Sequence, residues 1–355
     1  MQTTEHTILA VKPPSWRAFF FQWEWLLVLI FVAVNVVNST LSPYYFTVDT
    51  FLNTPMTFLD KAFLVLPMTM VIILGTIDIS VGSTVALSAV VMAVSYNAGV
   101  PMVPAMLLCL AVATTCGLVN GLLMTRFKEL SSMIVTLSTM IIYRGIAYVI
   151  LEDQASGKFP EWYSQLGWGT VGGVPIILIA FAVCAVVFWL LLHKTSFGRR
   201  IYGMGNSLTA SRYSGVRTDS IIIVVSVLTG LMAGFTALFL TSRMGSTRPN
   251  VAQGYELEVI TMVVLGGVST LGGKGRLAGP LLAIFIIGFL NYGLGLVNIQ
   301  AQTLLIIVGL LLIVSVLVLN VRFRGAHHRP APPAAATAAK GATSDVSKSE
   351  EEEKS

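Results

Sequence analysis

Charge is scarce in this chain. Asp, Glu, Lys and Arg make up 11% of its 355 residues, where soluble domains carry about 25%, and so few charges exclude an ordinary water-exposed surface. Cysteine is equally sparse. Cys109, Cys116 and Cys184 all lie inside apolar stretches with no close pairing, which argues against a disulfide framework or a thiolate metal site and leaves them as small core residues. The four histidines, His6, His193, His327 and His328, stand in polar terminal or loop regions with no carboxylate or cysteine at ligand spacing, so neither a metal nor another cofactor is expected. A Walker A segment is missing too. The nearest stretch, "VLGGVSTLGGKGRLAG", has Val268 where the first glycine is required and Gly275 where Ser or Thr should follow Lys274. Any ATP hydrolysis therefore belongs to another polypeptide. No Ser-His-Asp, HExxH or paired-carboxylate arrangement offers a different reaction, and an enzyme is not expected.

What is present is hydrophobicity, at 55% of residues. A spanning helix needs about 20 apolar residues, somewhat fewer when it is broken. Candidate spans are 24–41, 62–77, 81–96, 102–124, 131–151, 174–192, 220–240, 257–271, 276–292 and 301–320. The first run is longer than a signal h-region of roughly 7–15 residues and no small-x-small site follows it, so it reads as a retained span. The expectation is an all-α polytopic membrane protein with about ten transmembrane helices, some of them short or discontinuous. The net charge of +5 reports orientation rather than nucleic acid. With the N-terminus inside, Lys12, Arg17, Arg126, Lys128, Lys194, Arg199, Arg200, Arg212, Arg217, Lys274, Arg276, Arg322, Arg324 and Arg329 are cytoplasmic, and only Lys61, Lys158, Arg243 and Arg248 lie outside. Both termini are then cytoplasmic. The outer connection "EDQASGKFPEWYSQLGWGTVGG" carries the Trp and Tyr residues of an interfacial belt, and Arg144 remains inside a span.

Two pairs of spans are short: 62–77 with 81–96, and 257–271 with 276–292. Each is joined by a glycine-containing polar link, "DISVG" in one half and "TLGGKGRLAG" in the other, and both pairs run out, in, out. Short, Gly-interrupted segments at corresponding places point to a translocation pathway, against the plainer reading of close packing through small residues. The first link contains Asp78. An intramembrane carboxylate is costly and marks function, or else Asp78 or Ser80 caps a restarting helix by accepting orphan backbone N–H groups. Glu256 and Glu258, in "GYELEVI", either cap the eighth span or line an entrance.

The long inner loop, residues 193–219, carries five Lys or Arg and a stretch, "SLTASRYSGV", long enough for two helical turns. It reads as a docking element for a cytoplasmic partner, or as a basic loop resting on anionic lipid. Three segments follow from this organisation: a cytoplasmic N-terminal segment 1–23, a transmembrane domain 24–322, and a tail 323–355 whose lack of apolar periodicity predicts disorder.

The order "LGTIDISVGS", "GLVNGLLMTRF", "SSMIVTLSTMIIYRG", "HKTSFGRRIYGMGNSLTASRYSGV" and "GYELEVITMVVLGGVSTLGGKGRLAGPLL" resembles the permease subunits of bacterial ABC importers of the ribose, xylose, arabinose, rhamnose and autoinducer-2 group. The likeness covers residues 24 to 322. It implies an inner-membrane importer subunit that passes a pentose, a deoxyhexose such as rhamnose, or autoinducer-2. It further implies a second permease subunit, separate cytoplasmic ATP-binding subunits and an extracytoplasmic sugar-binding protein. The family's signature falls on Gly75, Ile77, Asp78, Ser80, Val81 and Gly82, with Thr76 in place of a glycine, and its Asn-Gly on Asn120 and Gly121. Around Thr136, Ser132 and Ser138 stand where the family has Pro and Gly. The resemblance assigns Gly198, Arg199, Gly205, Ala210, Arg212 and Gly215 to ATPase docking, within a segment where Asn206, Ser207, Leu208, Thr209, Ala210 and Ser211 replace Gly-Asn-Pro-Glu-Ala-Ala. Asp78, Ser80, Gly82, Asn120, Thr136, Glu256, Gly266, Gly267, Gly272 and Gly273 are the pathway candidates. The rival reading is an ion-coupled secondary transporter in which Asp78 carries the ion or proton.

Overall fold

A computed structural model describes residues 23–43, 45–299, 303, 306, 307 and 309–317. The predicted N-terminal segment (apart from Trp23) and the predicted tail lie outside these residues, as does part of the predicted span 301–320, whose described residues are helical to 317. The described residues up to Val316 belong to one compact unit.

The helices are α1 (Trp23–Leu41), α2 (Val48–Asn53), α3 (Leu59–Ile73), α4 (Val81–Asn97), α5 (Met102–Arg126), α6 (Ser132–Leu151), α7 (Glu161–Trp168), α8 (Ile176–Lys194), α9 (Ser196–Asn206), α10 (Leu208–Tyr213), α11 (Thr218–Met244), α12 (Tyr255–Leu265) and α13 (Ala278–Leu296). Six of them, α1, α5, α6, α8, α11 and α13, are long and apolar enough to cross a membrane. A seventh span results if the pair Thr50–Thr57 and Leu59–Ile73, bent by 67°, counts as one, and α4 is a shorter apolar helix.

Their layering follows from where each helix is apolar. A helix that is hydrophobic all round must be buried, and α3 and α4 are buried along nearly their whole length. The outer helices carry one buried stripe and present the rest: Leu29, Leu107, Ile141, Val149 and Val183 are each at least 60% exposed. Apolar surface on that scale belongs against hydrocarbon, not water. Between the layers, α11 runs along α5, and Gly117 faces Gly230 so closely that a Cβ on either would lie 3.0 Å from the other's backbone. Phe63 of α3 stacks on Phe239 of α11 at 5.0 Å and meets Phe181 of α8 edge-on at 5.7 Å.

The two ends differ. At one, strand β1 (Ser156–Gly157) pairs antiparallel with β4 (Ser246–Thr247), β2 (Thr170–Val171) pairs with β3 (Val174–Pro175), and α7 is pinned by the Tyr163 hydroxyl, 2.8 Å from both Leu238 O and Thr241 Oγ1. At the other lie α9, α10 and the ion pairs Lys128–Asp219, Arg212–Asp219 and Arg276–Glu24.

Element bounds depart from the sequence reading in two instructive places. The span expected over 257–271 stops at Leu265, because Gly266 and Gly267 follow and Gly267 takes φ +88°, which a continuing helix cannot use. In the inner loop, Leu208–Tyr213 supplies the expected short helix, but Ser196–Asn206 forms a second one. Thr195 begins it by accepting from Gly198 N, and Ser207 begins α10 by accepting from Ala210 N.

Candidate translocation site and docking element

The break between α3 and α4 is organised by Asp78. Its side chain is 4% exposed, and Oδ1 accepts from Ser80 N at 2.9 Å and from Ser80 Oγ at 2.6 Å. Ser80 Oγ in turn accepts from Asn120 Nδ2 at 2.7 Å, and Asn120 Oδ1 lies 3.0 Å from the Tyr143 hydroxyl. Thr136 Oγ1 donates to Ser132 O at 2.9 Å and stands 3.3 Å from Ile77 O. Asp78, Ser80, Asn120 and Thr136 are thus brought together, tying the start of α4 to α5 and α6. Asn120 lies six residues before Arg126, about 9 Å of helix from that end of α5, well inside the apolar bundle. The expected cap is met in another way. Ser80 is the N-cap residue of α4 but makes no side-chain capping bond; Asp78 holds Ser80 itself. The cavity beside Asp78, lined by Leu74, Ile77, Met124 and Val225 among others, has a volume of about 10 Å³. It holds no sugar.

Gly82 and Glu256 form a second junction. A Cβ at Gly82 would collide with Glu256 Oε2 and would lie 2.6 Å from Ala252 O, so α4 touches the segment leading into α12. Glu256 Oε1 accepts from Gly254 N, the N-cap residue of α12, at 3.1 Å. Of the two roles left open for these acids, Glu256 takes the cap. Glu258 instead crosslinks helices, with Lys61 Nζ of α3 at 2.7 Å and Asn291 Nδ2 of α13 at 2.9 Å. Arg144 spends its charge on the same segment, donating to Pro249 O and Val251 O at 2.7 Å each.

The glycine candidates divide. Gly266 packs on Gly279 and Pro280 at the start of α13, and Gly267 lies under the Trp23 ring, whose Nε1 donates to Leu265 O at 2.9 Å. These are packing contacts with α13 and α1. Gly272 and Gly273 meet α9. Gly273 N donates to Ile73 O at 2.8 Å, closing the second link onto the end of α3. A Cβ at Gly272 would lie 2.9 Å from Gly205 O and 3.0 Å from Gly75. The second polar link therefore meets the end of α3, at Ile73 and Gly75, and α9 at a single point.

Around that point, Tyr202 donates to Gly275 O at 2.8 Å, and Asn206 Nδ2 donates to Tyr202 O at 2.8 Å while reaching toward Gly273 O at 3.5 Å. Burial raises the Tyr202 phenol above its ordinary pKa, with Arg276 opposing. Arg199 and Ala210 line a groove of about 580 Å³ between α9 and α10. Gly198 turns the chain tightly against Leu192 O, and Gly215, at φ +78°, ends α10. Arg212 is committed internally, through Nε to Thr218 Oγ1 at 3.1 Å and Nη2 to Asp219 Oδ1 at 3.5 Å. Tyr202 and Ile73 escaped sequence reasoning. Nothing in their neighbourhoods marks them, because their partners lie about 70 or 200 residues further along the chain.

A helix pair broken at Asp78, a second glycine-rich break and a two-helix element seated on the end of α3 and on that second break are the architecture of a helical, multi-pass membrane protein. The family described as "Branched-chain amino acid transport system / permease component" matches residues 50–316, and the chain belongs to that family. It is similar to the autoinducer 2 import system permease protein LsrD of Escherichia coli K12, at 33% identity over 303 residues, covering 83% of this chain and 91% of that protein. The proteins of that name from Shigella flexneri and Escherichia coli O157:H7 match to the same extent. No solved structure matches. The motif resemblance to ABC importer permeases holds over most of the chain, which is a multi-pass protein of the bacterial inner membrane.

Proposed function

We propose that this chain is one of two permease subunits of an ATP-driven importer, passing a small sugar-like solute of the autoinducer-2 type handed over by an extracytoplasmic binding protein. The observation that carries the reading is the seating of α9 across the end of α3 and the second polar link: Gly205 lies against Ile73 O and Gly273, Asn206 lies against Gly273, and Gly273 is itself bonded to Ile73. A partner pushing on α9 and α10 moves the end of α3 and the link before α13 together. That is what alternating access driven from outside the chain requires. The solute class rests on the relatives, which match 83% of the chain and are named for autoinducer 2. The family description names branched-chain amino acids, but it matches a shorter stretch of the chain, residues 50–316.

In this reading α9 and α10 face the cytoplasm, where the basic residues Arg199, Arg200 and Arg217 follow the positive-inside rule. Both termini lie on the same side, and the full protein crosses about ten times. Ion coupling through Asp78 finds little support, since the carboxylate is buried, is held by Ser80, and faces a cavity of only about 10 Å³.

Co-purification tests the docking. Expressed with its cognate ATP-binding subunit and extracted in mild detergent, the chain is expected to retain that subunit. Arg199→Glu, an exposed reversal in the groove, is expected to lower the retained amount about tenfold or more without lowering membrane insertion. Equal retention by Arg199→Glu and by Gly215→Val, together with unchanged uptake, removes the docking assignment.

A further inference from the structure

We infer that the segment from Ser246 to Tyr255 forms a receiving site for a small polyhydroxylated solute at the α7 end of the bundle. The solute class rests on the permease reading; the site rests on its own geometry.

A cavity of about 320 Å³ opens there, within the size range of small-molecule sites, about 300–1,000 Å³. Its polar lining includes Arg243, Thr247, Arg248, Asn250, Gln253 and Tyr255, and no Asp or Glu lines it. The back wall is held rigidly. Arg243 donates to Thr57 O, to Met56 O at 3.2 Å and to Asp60 Oδ2 at 3.1 Å; the Tyr255 hydroxyl donates to the same Asp60 oxygen at 3.0 Å. From behind, Arg144 clamps the Pro249 and Val251 carbonyls. The front is different: Arg248, Asn250 and Gln253 are exposed, and their side chains form no hydrogen bond among the described residues.

One unsatisfied polar atom lies in this wall, Thr247 Oγ1, and two more belong to residues that brace it from behind. Six buried side-chain oxygens among the described residues lack a partner, and three of them are Thr247 Oγ1, Asp60 Oδ1 and Glu256 Oε2. Thr247 is 1% exposed and lines the cavity; Asp60 holds Arg243 and Tyr255 in place; Glu256 caps Gly254 beside them. Buried polar atoms without partners are rare and call for a specific reason. A solute rich in hydroxyls supplies acceptors for the guanidinium and amide donors and a donor for Thr247 Oγ1. The cationic rim favours a neutral or anionic solute and rejects a cation. Position agrees with use, since Ala252, at the inner edge of the cavity, touches Gly82 at the start of α4.

Saturation-transfer NMR on the full chain in lipid nanodiscs tests the site without any partner. The probes are D-ribose, L-rhamnose and autoinducer 2, with choline as the cationic control. At least one polyol is expected to receive saturation where choline receives none. The signal is expected to fall about tenfold in the double variant Arg248→Ala/Gln253→Ala, which removes two donors that the fold does not use. An unchanged thermal unfolding temperature verifies that this variant is folded. Two results overturn the site: no polyol exceeding choline, or a double variant indistinguishable from the unsubstituted chain. Failure here is separable from failure of the permease reading, because ATPase co-purification needs no solute and this measurement needs no ATPase.

Discussion

Gly205→Val is expected to cut ATP-dependent uptake at least about tenfold while the protein still inserts and folds. A Cβ at this position collides with the Ile73 carbonyl oxygen and lies 2.5 Å from Gly273 N and 3.0 Å from Gly273 Cα. All three obstacles are backbone, so no side-chain rotation relieves the overlap and α9 must lift from the junction. Lifting it breaks the approach of Asn206 to Gly273 and disturbs the Gly273–Ile73 hydrogen bond. Gly203, two residues earlier, is the control: a Cβ there meets only the Ser211 hydroxyl, at 3.6 Å. Uptake assayed side by side for Gly203→Ala, Gly205→Ala and Gly205→Val should stay, fall and fall further. Equal uptake by all three would dissolve the coupling junction.

The second large effect is at Asp78. Asp78→Leu removes the acceptor of Ser80 N and Ser80 Oγ and leaves a buried N–H unsatisfied, at a cost of about 1–3 kcal/mol for that donor alone. The loss spreads, because Ser80 Oγ also holds Asn120, and Asn120 approaches Tyr143. Lower yield and earlier thermal unfolding in detergent are expected. Asp78→Asn keeps an acceptor oxygen, so it should fold better than the leucine variant and leave the energy source of uptake unchanged. If Asp78→Asn folds normally and uptake loses its dependence on ATP, the carboxylate couples an ion and the anchor role is wrong.

Much of this was legible in the chain. The apolar runs located α1, α4, α5, α6, α8, α11 and α13 because a membrane helix needs length and hydropathy and little else. Asp78 stood out because a charge in such a run is expensive. The rest depends on long-range contact. That Gly272 and Gly273 receive α9, while Gly266 and Gly267 pack against α13 and Trp23, is not written in four glycines of similar local context. Glu256 and Glu258, two residues apart, were indistinguishable in sequence; Lys61 and Asn291 separate them only once α3 and α13 are packed against α12. Helix α9 was missed for a simpler reason. Its glycines lower helix propensity, and packing against α8 and α3 overrides that preference.

The most direct test of the central claim is the energy source of uptake. The chain is reconstituted into proteoliposomes with its cognate ATP-binding subunit and solute-binding protein, and import of autoinducer 2 and of the pentose and deoxyhexose candidates is followed. Import of at least one solute is expected to require ATP inside or outside on the ATPase face, to stop when the ATP-binding subunit carries an inactivated Walker A lysine, and to survive collapse of the proton gradient. Import that continues with the inactive ATPase and stops with a protonophore would contradict the account.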